Sequence, residues 1–156
     1  MLKRNTLIAA VLLLCLSGIN TGQAEEITVE NAWVRSAPSV ATVLAGYMTL
    51  HNYSDKAITL TSVTSPAFES VELHRTTLHG GMMHMEAIKS LLIEGNSTVK
   101  LEPNGYHLML NDPKQKISTG DTIPFTLNFE GAMQKIDALV KQDDAQESAP
   151  THHHHH

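Results

Sequence analysis

Tyr106-His107-Leu108-Met109-Leu110 alternates core-type residues with residues that carry soft or imidazole donors. Successive side chains of a strand point to opposite faces, so Tyr106, Leu108 and Leu110 share one face and His107 and Met109 the other. Packing the aromatic and the leucines inward turns His107 and Met109 outward as an i, i+2 pair. Val71-Glu72-Leu73-His74 obeys the same logic: Val71 and Leu73 point in, and His74 points out beside Glu72. A period of two, rather than 3.6, is therefore the signal that decides the fold class.

Working outward from this stretch, the period of two predicts strands over 27–35, 43–52, 58–64, 70–76, 82–88, 97–101, 106–111, 122–128 and 133–139. Turn formers separate them, among them Ser65-Pro66, Glu94-Gly95-Asn96, Pro103-Asn104-Gly105 and Thr119-Gly120-Asp121. Short strands at this spacing, with no helical pattern of a dozen residues among them, predict an all-β antiparallel sandwich or barrel. His79-Gly80-Gly81 reads as a hairpin connection. Met48 and Met133 read as core filling, and His51 as a surface or hydrogen-bonded residue.

The ends are read separately. Residues 1–24 have the form of a cleaved signal peptide: Lys3 and Arg4, then an apolar run, then Gly22 and Ala24 at a cleavage site. The apolar run is shorter than the roughly 20 residues a bilayer span needs. Cys15 is a poor lipid-attachment site, because Leu14 precedes it where a small residue is required. Residues 25–141 form the expected folded domain, and residues 142–156 an unpacked tail ending in His152 to His156. Those histidines are either a native Cu(II)-binding cluster or a purification tag.

The chain of 156 residues is long enough for one domain, and its formal charge of −5 becomes −7 once Lys3 and Arg4 leave. An acidic chain without a basic run excludes nucleic acid and anionic membranes as natural partners. Cys15 is the sole cysteine, so the exported domain has no disulfide, no thiol nucleophile and no thiolate ligand. Without a thiolate, a blue-copper electron carrier is excluded.

The remaining chemistry lies in histidine and methionine, and in the mature chain outside the tail most of these fall between His74 and Met109. Met83 and Met85 form another i, i+2 pair, across the hairpin from His74. Imidazole and thioether without carboxylate suit Cu(I) and offer little to Zn²⁺, Mg²⁺ or Ca²⁺. His79, Met82, Met83 and His84 are either loop decoration or auxiliary ligands. Two His and two Met around Cu(I) leave a single positive charge, which is cheap to hold near a surface.

These residues resemble the periplasmic copper chaperone PCu(A)C family. Ten residues separate His74 from Met85, and twenty-one separate Met85 from His107-Leu108-Met109, which is the spacing of that family's motif. Ala32-Trp33-Val34-Arg35, Ala45-Gly46-Tyr47-Met48 with Asn52, and Gly105-Tyr106 are also similar to the family. The resemblance covers about residues 27–141. It implies a cupredoxin-like, Greek-key β-sandwich that binds one Cu(I) through His74, Met85, His107 and Met109. It further implies a periplasmic carrier, not an enzyme, delivering copper to the copper-bearing subunit of cytochrome c oxidase alongside a Sco-type thioredoxin-like protein. The competing expectations are an exported copper-dependent redox enzyme, a periplasmic copper-storage protein, and an adhesive sandwich with incidental donors.

Overall fold

The computed structural model describes residues 27–143, so the signal-peptide and His152 to His156 readings lie outside the described residues. The strands in chain order are β1 (Ile27–Arg35), β2 (Val43–Asn52), β3 (Ile58–Thr64), β4 (Phe68–His79), β5 (Met82–Ala87), β6 (Leu91–Ile93), β7 (Ser97–Leu101), β8 (Tyr106–Pro113), β9 (Thr122–Phe129) and β10 (Ala132–Lys141). They hydrogen-bond in the order β5-β4-β8-β7-β2-β1-β10-β9-β3-β6, with β8 also pairing β2 directly. The all-β expectation holds. The pairing departs from a wholly antiparallel one at β1–β10 and β7–β8, which are parallel.

Alternation builds the core. Leu108 and Leu110 of β8, Leu73 and Phe68 of β4, Leu50 of β2, and Phe125 and Leu127 of β9 are all buried. Phe68 and Phe125 stack at 6.5 Å between centroids, joining β4 to β9 across the interior. Removing such surfaces from water supplies most of the stabilisation, at roughly 25 cal/mol per Å². The region also reaches past β10: Asp143 is ion-paired with Arg35 of β1, and the Lys141 ammonium lies 4.9 Å from the Trp33 ring centre.

Three local readings change. β6 has only three residues, Leu91 and Ile93 buried with Leu92 exposed between them, which is too brief a run for periodicity to register. β4 runs on to His79 rather than stopping at Thr76, because His79 pairs with Met82 across a two-residue loop. Gly80 and Gly81 of that loop have φ of 57° and 79°, the left-handed values that a type I′ turn requires and glycine adopts cheaply. Met133 is not core: it is 63% exposed, because it shares the outer face of β10 with Lys135 and Asp137.

Asn52 is a structural hub that polarity alone disguises. It is 1% exposed, and its amide donates to the carbonyls of Lys56, Ile93 and Glu94 at 2.7, 3.1 and 3.0 Å. Its carbonyl accepts from the Ser54 N–H at 3.0 Å and from the Ser54 hydroxyl at 2.8 Å. The loop after β2 and the loop after β6 are thus tied together, and a Cβ on Gly95 would sit 2.4 Å from the Asp55 carbonyl oxygen. Asn52→Leu strands several of these groups, each costing about 1–3 kcal/mol when buried unpaired. Its urea midpoint should fall by the equivalent of roughly 3 kcal/mol; an unchanged midpoint would show that the hub is dispensable.

Candidate metal centre

The four expected ligands sit on three adjacent strands. β4 lies between β5 and β8, and the register sets His74 opposite His107, Glu72 opposite Met109, and Thr76 opposite Met85. Directly opposed residues share a face, as do residues two apart. His74, Met85, His107 and Met109 therefore lie on one side of the sheet, with Leu73 and Leu108 on the core side.

The ring centroids of His74 and His107 are 5.8 Å apart. With metal–nitrogen bonds of about 2.0 Å and ring centres about 1.2 Å beyond, two imidazoles on one ion have centroids roughly 5.2–6.4 Å apart. His107 Nε2 stands 3.3 Å from Met85 Sδ. That is close to the edge of about 3.5 Å between a nitrogen and a sulfur on one tetrahedral ion. Met109 follows His107 by two residues on the same face.

Hydrogen bonds assign the free lone pairs. His107 Nδ1 lies 3.1 Å from the Gly105 carbonyl oxygen, which can only accept, so Nδ1 carries the proton. In the neutral ring, Nε2 then presents its lone pair beside Met85. His74 Nε2 lies 3.0 Å from Glu72 Oε2, a carboxylate acceptor, so the proton of the neutral ring is on Nε2. His74 Nδ1 is buried and has no hydrogen-bond partner among the described residues. An imidazole held by a carboxylate through one nitrogen and bare at the other is the arrangement that orients metal-binding histidines.

The turn before β8 contributes to this arrangement. Asn104 has φ of 65°, tolerable for asparagine, and the Gly105 N–H donates to the Glu102 carbonyl at 3.1 Å. The Gly105 carbonyl is thereby aimed at His107, and it also accepts the Thr76 N–H of β4 at 3.1 Å. Pro103-Asn104-Gly105, read from sequence only as a turn, is what orients the imidazole.

Exposure across the centre is uneven. Met85, on the edge strand β5, is 52% exposed, while His74 is 8% exposed; His107 and Met109 are half-buried. The expectation of an exposed His74 is corrected: it faces the predicted side of β4 but is covered there. β4 is an inner strand, and His74 is flanked by Ala87 on one side and His107 on the other. The set is open at one corner rather than shallow throughout.

Beside His107 and Met109 lies an open groove of about 590 Å³ lined also by Arg35, Ala45, Tyr47, Thr76 and Met85. Burial pushes the Tyr47 phenol above its ordinary pKa, against the opposing pull of Arg35. The Arg35 guanidinium lies 5.2 Å from the Tyr47 ring centre, and Trp33 packs on Tyr47 at 4.6 Å. This flank carries no donor pattern, which is why Arg35 and Tyr47 were not legible as neighbours of the centre. His51 is elsewhere, bonded to Thr98 Oγ1 at 2.8 Å and beside Glu30 at 3.3 Å.

Comparison with known proteins identifies the family and the fold. The LpqE-like lipoprotein family model matches residues 27–140. Protein Lxx21020 of Leifsonia xyli subsp. xyli, which carries a lipoprotein name, is 33% identical over 151 residues, or 90% of each chain. Among solved structures, the copper-bound PCuAC domain from PmoF2 is 28% identical with a TM-score of 0.65, covering 76% of this chain and 94% of that one. The Cu(I) form of DR1885 from Deinococcus radiodurans is 34% identical with a TM-score of 0.65, covering 79% and 83%. The cupredoxin-like β fold is thus shared, and the chain belongs to the LpqE-like family of PCuAC domains.

Proposed function

We propose that this protein is an exported copper(I) carrier that holds one ion through His74 Nδ1, His107 Nε2 and the thioethers of Met85 and Met109. The observation that carries the reading is the 3.3 Å approach of His107 Nε2 to Met85 Sδ, with a second bare imidazole nitrogen on the opposed residue. Four neutral donors, two of them soft, favour Cu(I) over harder ions. The copper-bound PCuAC domain of PmoF2 and the Cu(I) form of DR1885 support copper as the cargo.

The mechanism is ligand exchange. His74 stays covered and anchors the ion, while Met85, on the sheet edge, is the first donor that an acceptor can replace. The acceptor we propose is the copper-bearing subunit of cytochrome c oxidase, with a Sco-type protein as co-worker and the periplasm as the compartment. A carrier needs no turnover chemistry, and we assign the protein no enzymatic activity. The lipoprotein name of the Leifsonia relative fits export; lipid attachment is not carried over, because Leu14 precedes Cys15.

Anaerobic Cu(I) titration against a competing chelator tests the reading on a chain ended after Asp143, which retains the Arg35 ion pair and drops the histidine tail. One equivalent should bind, with X-ray absorption showing both nitrogen and sulfur neighbours. Absence of a stoichiometric site, or a sulfur-free shell, would overturn it.

A further inference from the structure

The β4–β5 hairpin outruns the sheet that carries it. β8 pairs with β4 from Phe68 to Arg75, and the last tie is the Thr76 N–H to the Gly105 carbonyl. Beyond that point residues 77–84 form a two-stranded ribbon, an arrangement only marginally stable by itself. Leu78, Met82 and Met83 on it are 65%, 64% and 53% exposed, and His79 and His84 are exposed as well. Burial does not account for this composition.

The register sorts the donors onto two faces. Met83 is opposite Leu78 and lies on the face of Met85 and the candidate centre. Met82 is opposite His79, and His84 is opposite Thr77, on the other face. The His79 and His84 rings are 6.2 Å apart between centroids, within the roughly 5.2–6.4 Å reached by two imidazoles on one ion. Arg75, further along this face, is matched by Glu86 at 2.6 Å. Among the described residues no three of His, Cys, Asp and Glu group around a possible metal position; Met82, directly opposite His79 and two residues from His84 on the same face, is the thioether placed beside the pair. Two imidazoles and one thioether, all neutral, select a soft monovalent ion.

We propose that His79, His84 and Met82 form a second Cu(I) site at the hairpin tip, on the face opposite the His74–His107 centre. An ion there bridges both strands beside Gly80-Gly81 and stiffens a ribbon that has no third strand. The site draws on none of the four ligands of the first centre and does not rest on that reading.

The test is anaerobic Cu(I) titration of the full chain, followed by NMR of the methionine methyls and histidine rings. The Met82 methyl and the His79 and His84 rings should shift within the first two protein-site equivalents. In the H79Q/H84Q double variant the Met82 response should need at least tenfold more Cu(I), with the Met85 and Met109 responses and the Leu108 methyl signals unchanged. A Met82 methyl that stays still while Met85, Met109 or the tail histidines respond overturns the proposal, as does an equal Met82 response in the double variant. Movement of Met82 without Met85 or Met109 would sink the first-centre reading and leave this one standing.

Discussion

His107→Ala should weaken Cu(I) binding by at least about a hundredfold while leaving the sandwich folded. Removing a group that merely orients a metal ligand costs about 10–100-fold in affinity, so removing the ligand itself sets that as the lower bound. His107 lies on the outer face and is half-buried, so its loss opens no cavity among the leucines beneath it. Competition with a Cu(I) chelator reads the affinity, and thermal unfolding of the metal-free protein reads the fold. A mutant that binds like the parent would remove His107 from the ligand set, and one that unfolds would reverse the face assignment of β8. The other three positions should differ in a graded way. Met85→Ala, at a 52% exposed site, should lose affinity with no change in apo stability. His74→Ala should lose both, because its ring is covered and held by Glu72.

Leu108→Ala is the converse experiment, one residue along the same strand. Leu108 is 0% exposed, opposite Leu73 on β4 and Gly46 on β2. A Cβ added to Gly46 would stand 3.3 Å from the Leu108 Cβ, so β2 and β8 close tightly at this point and the site cannot collapse to fill a hole. Truncating a leucine in such a setting costs about 2–5 kcal/mol. Denaturant unfolding of the apo protein should show that loss in full. A ligand at a thousand times its dissociation constant stabilises the folded state by about 4 kcal/mol, so Cu(I) should restore most of it. Neighbouring residues would then have opposite effects: position 107 on affinity, position 108 on stability. Equal stability losses at both positions would mean that the alternation does not separate ligand face from core.

That alternation explains why so much was legible in advance. Residues 106–110 needed only the two-residue strand period to part Leu108 and Leu110 from His107 and Met109, and the strand limits 27–35, 43–52, 58–64 and 97–101 are met as written. β6 was missed because three residues carry no period. Met133 was misplaced because it was read as a lone apolar residue, although Lys135 and Asp137 at the next alternate positions mark its face as the wet one. Asn52 was quoted as part of a pattern without a role, since hydrogen bonds to Ile93 and Glu94 some forty residues away leave no local trace.

The sequence by itself determined the donor chemistry and the face on which each donor lies, because side-chain type is written in the chain and strand geometry converts spacing into direction. Only the tertiary structure decided that β4 runs between β5 and β8, and so which donors stand opposite one another. The same order of strands covers His74 and leaves Met85 open at the edge, because an inner strand has neighbours on both sides and an edge strand has one. It also set the protons: Gly105 and Glu72 hold one nitrogen of each imidazole, leaving the other free. The Glu72 contact was implicit in the two-residue spacing to His74, whereas the Gly105 contact depends on a turn geometry that spacing does not encode.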